Sequence, residues 1–118
     1  MSDFAAEMKA RTARFGVRVY RVVESLEGPS ARVLGKQLLR CGTSVGANYR
    51  AACRARSPAE FRAKLGIVEE ECDETFYWLE MLVETGVVSA DRLSGLIDEA
   101  NELLAIVVTS INTSKRNG

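Results

Sequence analysis

Apolar residues recur at three- and four-residue steps in four successive segments of the chain, and no segment has the alternating pattern of a strand. This spacing places the apolar side chains of each segment on one face of an α-helix. Glycine, proline or serine separates each segment from the next. The predicted helices span about residues 4–27, 31–54, 58–85 and 90–113.

Each predicted helix holds about 24 residues, which corresponds to ~36 Å at the α-helical rise of 1.5 Å per residue. Helices of similar length joined by short connections are typical of an antiparallel up-down-up-down four-helix bundle. With 118 residues the chain has the size of one domain. We therefore predict an all-α fold with a single domain over residues 1–118, and we expect it to assemble with copies of itself.

Polar and special residues predict where the helices begin and end. Ser2 or Asp3 is the expected N-cap of the first helix, and Ser30 that of the second. The sequence Ser57-Pro58-Ala59-Glu60 predicts a capping box with proline at the first helical position. The other expected boundaries are a stop at Gly86, a start at Ser89 and a frayed tail from Ser114 onwards.

The second segment is rich in glycine, and this is where local propensity is weakest. Gly42 and Gly46 each destabilise a helix by roughly 1 kcal/mol. Because they lie four residues apart on one face, they would let another helix approach closely. Asn48 lies on the core seam of this helix, meaning the stripe of residues predicted to face the core. Phe4 lies on the core seam of the first helix. For Asn48 we favour a hydrogen bond that fixes the register of the bundle over a role in binding a ligand.

The chain has no histidine, and this excludes several kinds of chemistry. A di-iron site in a helical bundle needs Glu-x-x-His pairs on two helices. A Ser/His or Cys/His nucleophile system is impossible for the same reason. The sequence therefore predicts a protein that is not an enzyme and that has no cofactor.

A run of carboxylates in the third segment is the one candidate for a metal site: Glu69-Glu70-Glu71-Asp73-Glu74. It could hold a hard cation such as magnesium. Charge runs usually face solvent, so we favour a solvated face or pairing with arginines of a neighbouring chain, and we predict no metal site. Glu71 and Glu74 lie closest to the core seam.

Cysteine usage and hydropathy indicate the cellular setting. Three cysteines without a CxxC motif make neither a disulfide framework nor a zinc site. The N-terminus lacks the basic head and apolar run of a secretory signal, and no apolar stretch is long enough to cross a bilayer. We therefore expect a cytoplasmic protein without a membrane partner.

Charge is distributed very unevenly, although the formal net charge is zero. Residues 1–64 contain 13 Lys and Arg against 5 Asp and Glu, whereas residues 65–118 contain 3 against 11. Such asymmetry carries information about partners rather than about fold. The basic half has one stripe on each of the first two helices, formed by Arg11, Arg14, Arg18 and Arg21 and by Arg32, Lys36, Arg40, Arg50 and Arg54.

Two interpretations of these stripes are evenly balanced on charge alone. In the first, arginines that suit bidentate phosphate contacts bind the backbone of RNA or DNA. In the second, the basic half of one subunit faces the acidic half of the next, and such a head-to-tail interface closes into a ring where the rotation permits.

Several ordered motifs carry a family resemblance: LLRCGTSVGAN at residues 38–48, SPAEF at 57–61, Lys64-Leu65 and ECDETFYWL at 71–79. With them, residues 10–110 resemble the bacterial four-helix-bundle proteins of the 23S rRNA intervening-sequence protein family. The resemblance implies a homopentameric ring of antiparallel bundles. Some members are encoded within insertions in ribosomal RNA genes. A related protein is the basic, pentameric accessory subunit of diversity-generating retroelements, which contacts nucleic acid and a reverse transcriptase.

Together these observations predict a non-enzymatic, self-assembling accessory protein that binds RNA or DNA through the basic stripes of its first two helices. Its partners would be further copies of itself, a nucleic acid and another protein such as a reverse transcriptase. The alternative is a protein–protein interaction scaffold whose basic and acidic halves pair between subunits.

Overall fold

Four α-helices account for most of the chain, of which the computed structural model describes residues 3–118. The helices are α1 (Asp3–Glu24), α2 (Pro29–Ala52), α3 (Pro58–Glu84) and α4 (Ala90–Arg116), and no strand occurs among these described residues. They form an elongated body of 48 × 21 × 19 Å. The prediction of an all-α fold with four helices is confirmed.

Each helix packs against the next one along the chain, and α4 packs against α1. The apolar faces meet in a common core, where the burial of each large side chain contributes about 1.5–3 kcal/mol. The largest fully buried side chains include Phe15, Leu38, Leu65, Leu79, Leu82, Leu93 and Leu103.

The glycines of α2 lie where α1 approaches most closely. A Cβ atom on Gly42 would lie 2.7 Å from Cγ1 of Val19, and one on Gly46 would lie 3.2 Å from the carbonyl oxygen of Thr12. Gly35 faces Leu26 in the same way, at 2.7 Å from its Cδ1. The glycines therefore permit close packing between the two helices, and this packing offsets their low helix propensity.

The start of α3 matches the predicted capping box in part. The Ser57 hydroxyl accepts a hydrogen bond from the Glu60 N–H at 3.0 Å. The Glu60 carboxylate, however, accepts from the N–H of Arg56 at 2.9 Å rather than from that of Ser57. The bond to the Glu60 carboxylate therefore comes from the residue before the N-cap instead of from the N-cap itself. The helix still begins at Pro58, as predicted.

The turn between α3 and α4 also follows the predicted boundaries. Gly86 has a φ of 77°, which favours glycine, and the N–H of Val87 donates to the carbonyl of Leu82 as in a Schellman motif. The Ser89 hydroxyl accepts from the N–H of Arg92 and caps α4. The helix α3 ends at Glu84, one residue before the predicted end.

The boundary between α1 and α2 differs from the prediction. The helix α1 ends at Glu24 rather than residue 27, because the amides of Ser25 and Leu26 donate to carbonyls three residues back and tighten the last turn. Leu26 then packs inward on Gly35. Ser30 is not the N-cap of α2: the cap is Gly28, and Pro29 takes the first helical position, where a proline loses no hydrogen bond.

The ends of α2 and α4 also differ from the prediction. The helix α2 ends at Ala52, so Arg54 lies in the following turn rather than on the helix. The tail predicted to fray instead continues α4 to Arg116, because Lys115 and Arg116 favour the negative end of a helix. The predicted cap at Ser2 lies outside the described residues, and Asp3 lies in the first turn of α1.

Two side chains predicted for the core seams lie elsewhere. Phe4 is 49% exposed and lines a surface pocket together with Phe61 of α3 and Ser114 of α4. The amide of Asn48 donates to the Ser44 carbonyl at 2.9 Å, which is a bond within α2. A half-buried Asn that is satisfied by its own helix does not fix the register between helices, so that prediction was wrong.

Candidate nucleic-acid interface on α1 and α2

The nine basic residues predicted to bind nucleic acid lie on the surface, and eight of them are exposed while Arg11 is half-buried. Four lie on α1 and four on α2, at helical spacings that point them away from the buried faces. Arg54 extends the set into the turn after α2. The structure therefore brings most of these cations onto the outer surface of two adjacent helices.

Arg11 is bound within the chain by two carboxylates of α4. Its Nε and Nη2 atoms donate to the two carboxylate oxygens of Glu99, each at 2.7 Å, and Nη2 also lies 2.8 Å from Glu102. The paired charges raise the pKa of Arg11 and lower the pKa of Glu99. A guanidinium held in a bidentate pair fastens α1 to α4 and has little capacity left for a phosphate.

Arg40 is bound in the same manner by carboxylates of α3. Its guanidinium pairs with Glu74 and lies 3.5 Å from Glu71, and Glu74 also accepts a hydrogen bond from Nε1 of Trp78 at 3.1 Å. The two glutamates nearest the core seam thus find their arginine in the same chain rather than in a neighbouring one. The pair fastens α2 to α3.

The other seven predicted residues take part in no ion pair within residues 3–118. Their exposure leaves the guanidinium and ammonium groups able to contact an external anion. We call them the free cations: Arg14, Arg18, Arg21, Arg32, Lys36, Arg50 and Arg54.

The free cations of α1 lie toward α4. Arg14 and Arg18 contribute to the lowered pKa of Glu99. A Cβ atom on Gly95 of α4 would lie 3.4 Å from Nη2 of Arg18. Of the free cations of α2, Arg50 lies near the start of α1, beside Lys9 and Ala13.

A groove of about 700 Å³ runs between α1 and α2, and sequence reasoning did not find it. Its floor contains Gly16 and Gly46, and its rim contains Val17 and Tyr20, which are 47% and 50% exposed. Two cations also line this groove, Lys9 and Arg50. Val17 and Tyr20 lie outside the apolar seam of α1, and that position was the sequence signal for a second contact surface.

The three cysteines divide by burial. Cys41 and Cys72 are fully buried, and burial raises the pKa of both thiols, that of Cys72 to about 12. Cys53 is half-buried at the end of α2. Across the described chain, no group of three or more His, Cys, Asp or Glu residues is arranged to hold a metal ion. Over the same residues no helix is long and apolar enough to cross a membrane.

The protein is thus a small all-α protein of four helices, with exposed cations on α1 and α2. The chain belongs to the 23S rRNA-intervening sequence protein family, whose model matches residues 6–109. A solved protein of unknown function from the S23 ribosomal protein family, from Bacteroides thetaiotaomicron, is 33% identical with a TM-score of 0.85. That likeness covers 92% of this chain and 97% of the solved one. No curated protein matches the chain.

Proposed function

We propose that this protein is a non-enzymatic accessory protein that assembles with copies of itself and binds RNA or DNA through cations of α1 and α2. The observation that carries the proposal is the set of seven free cations, all exposed and unpaired in the described chain. Exposed arginines that track a helix surface suit contact with a phosphate backbone. The family's name refers to 23S rRNA, which agrees with a nucleic-acid partner.

The assembly that we propose is a homopentameric ring of antiparallel up-down-up-down bundles. Contacts between helices support the antiparallel order, since Gly46 lies at Thr12 whereas Gly35, earlier on α2, lies at Val23, later on α1. Likewise, Arg11 pairs with Glu99 while Arg18 lies near Gly95. The number of subunits and a reverse transcriptase partner rest on the family resemblance, whereas the cytoplasmic setting rests on the cysteine usage and hydropathy of the sequence.

A second candidate function is a protein–protein interaction scaffold without nucleic acid. It is favoured by four exposed carboxylates on α3 that have no ion pair in the part of the chain that the structure describes: Glu70, Asp73, Glu80 and Glu84. They could pair with the basic surface of another subunit. In that case the free cations would be neutralised by assembly.

Fluorescence anisotropy with a labelled structured RNA and a duplex DNA, titrated across a salt series, tests the proposal. The variant Arg14→Ala/Arg18→Ala removes two free cations, and Lys115→Ala/Arg116→Ala is a control that removes two exposed cations at the far end of α4. For duplex DNA we expect the first variant to reduce the slope of log K against log salt by about 1.8, because each phosphate contact contributes about 0.9. The control should leave the slope unchanged.

Absence of binding to both nucleic acids at low salt would refute the nucleic-acid proposal and leave the scaffold. Equal effects of the two variants would show that affinity follows total charge rather than the stripe on α1.

A further inference from the structure

The groove between α1 and α2 has different chemistry at its two ends. Lys9 and Arg50 lie together at one end, because the start of α1 packs beside the end of α2. Val17 and Tyr20 form the other end, and Lys9 and Tyr20 are separated by ~16 Å along the helix axis. The floor between them is made of small residues, which leaves room for another helix. The groove is thus cationic at one end and apolar at the other.

The outer face of α3 has the complementary arrangement. An unbroken stripe of exposed residues follows the helix at three- and four-residue steps. Its first half is small or apolar and ends with Ile67, which is 38% exposed. Its second half holds four carboxylates around Tyr77, and the centre of that acidic half lies ~15 Å beyond Ile67. In full, the stripe comprises Ala59, Ala63, Ile67, Glu70, Asp73, Tyr77, Glu80 and Glu84.

We propose that the groove of one protomer receives the outer face of α3 from a second copy of the chain. The acidic half of α3 would meet Lys9 and Arg50, and Ile67 would meet Val17 and Tyr20. The interface is head-to-tail, because groove and α3 are different surfaces of the same molecule, and repeated contacts of this kind close into a ring or grow into a filament.

This inference rests on the self-assembly in the proposed function, and it divides the free cations between two roles. Arg50 belongs to the contact between protomers. Arg14, Arg18 and Arg21 lie on the side of α1 toward α4 and remain available for phosphate.

Charge reversal tests the inference. The groove variant is Lys9→Glu/Arg50→Glu, the α3 variant is Asp73→Lys/Glu80→Lys, and a third chain combines all four changes. Each reversed surface would face like charges, so we expect the protein concentration at half-assembly to rise on the order of 100-fold for either variant. The combined chain restores opposite charges and should assemble as the wild type does. Size-exclusion chromatography with light scattering gives the masses, and far-UV circular dichroism confirms that each chain is helical.

A matched control reverses two exposed carboxylates of α4 outside both surfaces, Asp91→Lys/Asp98→Lys, and should assemble normally. Mixing the groove variant with the α3 variant provides a second measurement. Unlike chains are then complementary and like chains repel, so the chains must alternate and a closed ring can contain only an even number of protomers.

The outcomes separate the two proposals. A wild-type protein that is monomeric at every concentration refutes the self-assembly itself. A wild type that assembles, together with reversed variants that assemble equally well, refutes only the assignment of these surfaces. Failure of the combined chain to reassemble, while the control does, also refutes the assignment.

Discussion

Replacing Gly42 by alanine tests the close contact between α1 and α2. The new methyl group would lie 2.7, 2.9 and 3.1 Å from Cγ1, Cγ2 and Cβ of Val19. Val19 is fully buried, and a valine in a helix is largely confined to one χ1 rotamer. Because all three close atoms belong to this one rigid side chain, no side-chain rotation relieves the overlap and the two helices must separate.

The expected magnitude is the difference between two opposing effects. Alanine is favoured over glycine in a helix interior by about 1 kcal/mol. Overpacking a well-packed core costs about 1–3 kcal/mol, and an unrelieved contact with a rigid side chain belongs near the upper value. We therefore expect Gly42→Ala to lower the free energy of unfolding by about 2 kcal/mol, and the midpoint temperature by about 8 °C for a chain of this size.

Urea denaturation followed by circular dichroism at 222 nm, at one fixed protein concentration, measures this change. Gly66→Ala is the matched control, because Gly66 also lies within a helix and a Cβ atom there has no neighbour within 4 Å. The control should gain about 0.5–1 kcal/mol from helix propensity alone. The pair Gly42→Ala/Val19→Ala should recover part of the loss, since it removes both Cγ atoms.

An unfolding free energy for Gly42→Ala equal to or above that of the wild type would contradict this reasoning. It would mean that α1 and α2 have room at the crossing, and the glycines of α2 would then need another explanation.

Two further predictions concern ionisation. The pKa of Glu99 is lowered beside Arg11, so the pair stabilises the fold at neutral pH, and this contribution is lost as the pH falls through the folded pKa of Glu99. Glu99→Gln should therefore destabilise the protein by about 1 kcal/mol at pH 7, with a difference that vanishes in acid, as urea titrations at several pH values would show. Iodoacetamide at pH 8 should modify Cys53 in the folded protein, and Cys41 and Cys72 only after unfolding, because burial raises the pKa of both thiols. Mass spectrometry of peptides that finds Cys72 labelled first would contradict this.

The helices could be predicted from the sequence because their signals are local. The Ser57 cap, Gly86 and the Ser89 cap each act within one turn of chain. Boundaries that depend on distant contacts were predicted less well. Leu26 leaves α1 because it packs on Gly35, and hydrophobic spacing alone would have continued the helix.

For the candidate site, the sequence could predict which cations are present but not which of them are paired in the fold. The spacing of the arginines indicated exposed stripes, yet Arg11 and Glu99 are 88 positions apart and Arg40 and Glu74 are 34 apart. No local pattern can reveal which cations are already paired. The groove between α1 and α2 was missed for the same reason, since it exists only when two helices pack together.

The ion pairs within the chain explain how a protein of zero net charge can present a basic surface. Arg11 forms ion pairs with carboxylates of α4, and Arg40 with carboxylates of α3. These pairs connect neighbouring helices, and the charges within each pair cancel. What remains exposed is positive on α2 and negative on α3, whereas α1 exposes three arginines in its middle and three carboxylates toward its ends. An isolated protomer would attract a polyanion with one face and repel it with another. If the groove of the next protomer covers the carboxylates of α3, the repulsive face is neutralised and the cations of α1 recur around the assembly. Several weak phosphate sites would then act on one nucleic acid together, so its affinity should rise with assembly rather than with net charge.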